Sequence, residues 1–168
     1  MPPQTTENKL DLALTDFRVP NPLTVPPATE RELVAKLRAH GKSSLGSFPI
    51  LQAALDIAAY ARIQTNTGFP DFDATIEQMN ALSQAAEEWV AVYDSKPPAA
   101  EQVDWLRQIM QSEGGFVGAT QNYDASENAD IVSVIDNRRG LPVSLGLLYI
   151  HVARCCNFSV DGLNFPGH

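Results

Sequence analysis

Basic runs are missing from this sequence, and with them the electrostatic footprint of a nucleic-acid or anionic-membrane binder. Twelve Lys and Arg face 20 Asp and Glu, for a net charge of −8. Cysteine is nearly absent. Cys155 and Cys156 are sequence neighbours that cannot staple distant segments, which excludes a disulfide framework. The three histidines, His40, His151 and His168, are scattered, and no Cys/His pair has ligand spacing, so no metal site is expected. No glycine-rich loop follows a strand pattern, and no cofactor is expected on that ground. The longest apolar run is too short to span a bilayer. No charged-then-apolar leader opens the sequence, so a cytoplasmic location is the expectation.

What is present is the composition of one globular unit: 168 residues, 44% of them hydrophobic, enough to bury a core. Residues 1–28 are rich in Pro, Thr and Asn, with Val19-Pro-Asn-Pro22 and Val25-Pro-Pro27 as breakers, and form an extended or mobile arm in which Leu10 to Leu14 dock locally. Helical patterns fill residues 29–114. Thr29-Glu-Arg-Glu32 is a capping box opening the first, with Leu33, Val34 and Leu37 inward and Gly41 as its stop. Phe48-Pro49 opens the second, which runs to about Gln64. Asp73 or a neighbour caps the third, which carries Ile76, Met79, Leu82, Ala86, Trp89, Val90 and Tyr93. Pro97-Pro98 introduces the fourth, with Val103, Leu106, Ile109 and Met110 inward and Gly114-Gly115 at its end.

A fifth helix is expected from about Ser126, with Arg138 and Arg139 in its last turn and Gly140 terminating it. The hub is the stretch from Gly140 to Arg154. Pro142 suits a first helical turn, and Val143 to Cys156 is interrupted only by Ser144, His151 and Arg154. A helix apolar on every side needs cover on every side. Asn157 follows as a left-handed C′ residue, Phe158-Ser-Val160 as a short strand, and Asp161-Gly162 as a turn. The pattern as a whole predicts a mainly α protein with at most one strand.

Gly115-Phe-Val-Gly118, Tyr123, Asn128, Val134-Ile135, Arg138-Arg-Gly-Leu-Pro-Val-Ser-Leu145, Tyr149, Val152-Ala-Arg154 and Gly162-Leu-Asn-Phe-Pro-Gly-His168 follow one pattern without a gap. It resembles the transglutaminase-like core of the bacterial SirB family. The resemblance departs at Ala119, where the family usually has Asn, at Asn157 for Gly, and at Cys155-Cys156 for a basic residue and Leu. It implies an N-terminal helical bundle leading into the first half, central helix plus first strand, of a papain-like α+β core. Residues 115–168 would form a core truncated after the Pro-Gly-His motif, with 29–168 as one structural unit.

In that layout a nucleophile stands at the N-terminus of the central helix, where the dipole favours a thiolate, and a histidine follows. The matching residues are Ser144 and His168. A serine there, with no base and orienter around it, is read as a first-turn residue satisfying an orphan backbone N–H. A Ser144–His151 pair is excluded, because two turns of helix separate them by roughly 10 Å. Cys155 and Cys156, at the negative end of the dipole, are core thiols. The expectation is a non-catalytic, regulatory or protein-interaction module with an unknown protein partner. The alternative is a hydrolase or acyltransferase relative whose site is vestigial or incomplete. Part of the hub helix is expected to face water, so that Phe158 to His168 is poorly anchored and the chain self-associates through the uncovered core.

Overall fold

The computed structural model describes residues 22–44, 47–93 and 95–160. The proposed docking of Leu10 to Leu14, the turn at Asp161-Gly162 and the Asn164–His168 motif lie outside them. The helices are α1 (Glu30–His40), α2 (Ile50–Thr65), α3 (Phe72–Ala91), α4 (Ala99–Arg107), α5 (Ile131–Asn137) and α6 (Pro142–Cys155). A π-helical turn, Gln108–Glu113, continues α4, and a 3-10 turn, Ser126–Asn128, precedes α5. The mainly α class holds.

Local chemistry sets most of the helix starts. The Thr29 hydroxyl accepts from Glu32 N, the N-cap half of the expected capping box, and donates to Glu32 Oε2. The cap of the third helix, expected at Asp73 or a neighbour, is Asp71, two residues earlier, which accepts from Ala74 N at 3.1 Å. Asp130 caps α5 through Ser133 N and Ser133 Oγ, and receives both Arg62 nitrogens at 3.1 and 2.7 Å. Burial alone would raise the Asp130 carboxyl. The hydrogen bonds from Arg62 and Ser133, with the Arg62 charge, hold it below its ordinary value.

Three expectations change. α5 ends at Asn137, so Arg138 and Arg139 are outside its last turn, and Arg138 itself takes the left-handed conformation (φ 54°). Gly140 is therefore no helix stop. It belongs to β2 (Arg139–Gly140), which pairs in parallel with β1 (Val117–Gly118). A Cβ on Gly140 would stand 2.7 and 2.8 Å from the two Val134 methyls, so close packing, not backbone freedom, demands the glycine. Of the four residues expected inward here, Val103 is 65% exposed, while Leu106, Ile109 and Met110 are buried.

The third change is at the end of α6. Asn157 is left-handed (φ 55°), as expected. Phe158 N donates to Ala153 O at 2.8 Å and Asn157 N to Arg154 O at 3.0 Å, the two bonds of a Schellman ending. Phe158 is fully buried against Trp105, with ring centroids 6.2 Å apart. The segment 158–160 is not a strand, because no described strand lies beside it to pair with, and Phe158 is held rather than loose.

The core joins all six helices. Leu33, Leu51, Leu55, Met79, Met110, Val134, Ile135, Leu148 and Val152 are fully or almost fully enclosed. Residues 22–28 dock on it: Leu23 is buried, with its N–H and C=O on the Asn80 side chain at 2.9 and 3.1 Å.

Candidate functional site

The start of α6 is built by what precedes it. Val117 N donates to Arg138 O and Ala119 N to Gly140 O, both at 2.9 Å, fixing the strand that leads in. Leu141 N donates to Asn128 O at 2.9 Å. Asn128 is buried, and its amide donates to Asn122 O at 2.7 Å and Tyr123 O at 3.2 Å. One side chain thus locks the 122–128 loop against the helix entry. Arg138 donates to Gly114 O, and its guanidinium lies 5.9 Å from the centre of the Phe116 ring. The motif residues Phe116, Tyr123, Asn128, Arg138 and Gly140 are therefore scaffolding for the N-terminus of α6.

Leu141 is the N-cap, with no side-chain capping bond, and Pro142 occupies the first turn. Ser144 is 3% exposed. Its hydroxyl donates to Ala129 O at 3.4 Å instead of accepting from a free helix N–H, as its first-turn position suggested. The matching His168 lies outside the described residues.

At the other end of α6, His151 is buried with Ser83 Oγ at 3.3 Å and Cys155 Sγ at 3.9 Å from its Nε2. Burial, helped by the Arg154 charge, lowers the imidazole to about 4, so it stays neutral. Burial raises Cys155 to about 11, the Ser83 hydrogen bond opposing and Glu87 adding to the rise. It raises Cys156 to about 12, with Cys155 and Glu87 contributing. Neither thiol offers a thiolate near neutral pH. Ser144 and His151 are on one helix and have different partners, Ala129 O for the first and Ser83 and Cys155 for the second.

A polar cluster that the sequence reading passed over ties α1 to α2. Asp56 is completely buried and accepts from Lys36 Nζ at 3.0 Å and Gln52 Nε2 at 3.1 Å, with His40 Nε2 at 2.8 Å. Gln52 also bonds the Thr24 backbone. The signal was present as two i,i+4 pairs, Lys36/His40 and Gln52/Asp56, each on one helix face. Its donors and acceptors are matched, so it serves as a structural lock of three segments. No group of three or more His, Cys, Asp or Glu among the described residues could hold a metal. No helix among them is long and apolar enough to cross a membrane.

A family model described as the transglutaminase-like superfamily matches residues 74–168, more than half of the sequence. The chain belongs to the transglutaminase-like superfamily. The matched stretch begins in α3 and takes in the whole scaffold around the start of α6. Among curated relatives, a UPF0162 protein of Vibrio cholerae is 37% identical over 93 residues, covering 55% of this chain and 33% of that protein. A UPF0162 protein of Xylella fastidiosa is 28% identical over 128 residues, covering 73% of this chain and 41% of that one. Mouse F-box only protein 21 is 30% identical over 66 residues, covering 39% of this chain and 10% of the mouse protein. The chain therefore spans well under half the length of each of these relatives. No solved structure matches it.

Proposed function

We propose that this protein is a non-catalytic, transglutaminase-like module of the SirB family that works in the bacterial cytoplasm by contacting other proteins. One observation carries the reading. Where a helix N-terminus would activate a nucleophile, the side chain is Ser144, enclosed and spent on Ala129 O. Both thiols are at the opposite end of the same helix, where burial holds them protonated and the dipole disfavours their anion. The expected result is no turnover of amide or thioester substrates with glutamine and lysine donors. A thiol-directed probe should leave Cys155 and Cys156 unlabelled in the folded protein. Labelling of either cysteine together with loss of a measured activity would refute the reading.

A second reading is a hydrolase or acyltransferase relative with a vestigial site. Its support is the position of Ser144 in the first turn of α6. The donor assay separates the two: turnover abolished by Ser144→Ala, in a protein that still melts like the parent, would establish the second.

A further inference from the structure

Residues 22–28 lie against the helices as a bound peptide does, held by side chains alone. Among the described residues, no backbone–backbone hydrogen bond joins this strap to the rest of the chain. Two side-chain amides hold it instead. Asn80, on α3, accepts from Leu23 N at 2.9 Å and donates to Leu23 O at 3.1 Å. Gln52, on α2, accepts from Thr24 N at 2.8 Å and donates to Thr24 O at 2.9 Å. Each amide takes both polar groups of one residue, as a neighbouring strand would, whatever side chain that residue carries.

The side chains of the strap divide between two sides. Leu23 and Pro26 are buried, whereas Thr24 and Val25 are exposed. Burial at every third residue suits a polyproline II segment, which has three residues per turn and no hydrogen bonds of its own. The run Pro22-Leu-Thr-Val-Pro-Pro27 has the composition for it, because each proline already fixes φ and loses little freedom on docking. Prolines also lack an N–H, and the two amides fall on the residues that have one, Leu23 and Thr24. Lys36, on α1, adds a contact to a side chain: its Nζ donates to Thr24 Oγ1 at 3.3 Å, which favours a hydroxyl after the leucine. The seat is ordered from beneath. Gln52 Nε2 donates to Asp56 Oδ1 at 3.1 Å, and Asp56 is fixed in turn by Lys36 and His40. The amide that reads Thr24 is therefore aimed by groups of α1 and α2, not by the strap.

We infer that the surface of α2 and α3 beneath residues 22–27 is a recognition site for extended Leu-Thr-x-Pro segments, occupied in this chain by its own strap and open to a protein partner's segment when the strap lifts. Proline-rich, extended segments are a recurring class of protein ligand. A segment held by few contacts belongs to the part of a fold that opens first. The inference gives the interaction-module reading a ligand class and rests on that reading, but its test is independent of the donor assay. Turnover in that assay would overturn the reading and leave peptide binding as measured.

The full chain carrying Leu23→Ser and Pro26→Ser has its own strap released. Fluorescence anisotropy follows its binding to a labelled peptide that copies residues 20–28. Binding should be saturable and 1:1. The parent should bind the peptide about tenfold or more weakly, because a tethered segment competes at high effective concentration. Asn80→Ala in the released variant should weaken binding about tenfold, through the loss of two hydrogen bonds to the backbone. A peptide with serine at the positions of Leu23 and Pro26 should not bind. Circular dichroism checks that each variant is folded. The parent itself supplies a second measurement that needs no variant: excess unlabelled peptide should speed hydrogen exchange at the Leu23 and Thr24 amides about tenfold or more, and leave Leu51 and Leu55 unchanged. That measurement decides the matter if the released variant does not fold. No saturable binding by the folded released variant, equal binding by the parent, or equal binding of the serine peptide would each overturn the inference. So would an Asn80→Ala variant that binds undiminished, or Leu23 and Thr24 amides that excess peptide leaves unchanged.

Discussion

Acidification should unfold this protein partly through one buried imidazole. His151 is enclosed by α3 and α6, with Ser83 and Cys155 at hydrogen-bonding distance and the Arg154 charge nearby. In the unfolded chain it protonates near its ordinary value of 6.5, in the folded one only near about 4. Above pH 6.5 both states are neutral there, and the group makes no contribution to pH dependence. Between 6.5 and about 4 the unfolded state binds more protons, so stability falls as the pH falls. The whole window is worth about 3 kcal/mol, at roughly 1.4 kcal/mol per pH unit, a large share of the stability of a domain this size. Asp130 works in the same direction but later. Its carboxyl is depressed, so its contribution is present above 3.8 and is lost as the pH drops below that. The assay is urea unfolding followed by far-ultraviolet circular dichroism at pH 7, 6, 5 and 4, on the parent and on His151→Gln. Glutamine can keep a hydrogen bond to Ser83 and does not titrate. At pH 7 the two should differ little in slope. By pH 4 the parent should have lost about 3 kcal/mol more than the variant. Parallel profiles from pH 7 to 4 would refute the account of His151 as a buried neutral base.

Two further outcomes test the backbone. Gly140→Ala should cost about 2 kcal/mol by forcing a methyl against Val134 and should be largely rescued by Val134→Ala, with thermal melts as the measure. An unrescued loss would mean that the clash is not the cause. Asn157→Gly should be neutral or mildly stabilising, whereas Asn157→Val should cost about 1–2 kcal/mol, because the residue sits at φ 55°. Equal melting of Asn157→Val and the parent would show that the left-handed ending is not fixed.

What was legible in the sequence was what adjacent residues decide between themselves. Thr29 and Glu32 meet across one turn, Pro142 begins a helix because its missing N–H is not needed there, and Asn157 ends one by turning left-handed. What was not legible depends on distant partners. The β1–β2 ladder is two residues per strand, too short for any periodicity, and it exists because Val117 and Ala119 find Arg138 and Gly140 across about 20 residues of loop and helix. Gly140 looked like a helix stop because glycine usually is one. Its actual reason, the Val134 methyls, is a contact. The buried cluster on Asp56 was hidden for the same cause, since an Asp amid alanines and leucines looks like a solvated position until Lys36, His40 and Gln52 converge on it. Within the candidate site, the sequence placed Ser144 in the first turn of α6, but not its enclosure or its acceptor.

The two ends of α6 divide between them the requirements for nucleophilic chemistry. The N-terminal end has the positive pole of the helix dipole, which stabilises an anion, and a scaffold of Asn128, Arg138 and Gly140 that fixes its geometry. Its side chain is a serine, weak as a nucleophile without a base. The C-terminal end has two thiols and a neutral imidazole, but there the dipole and burial both oppose a thiolate. Eleven residues of helix put about 16 Å between Ser144 and Cys155, so no rearrangement of side chains can bring dipole and thiol together.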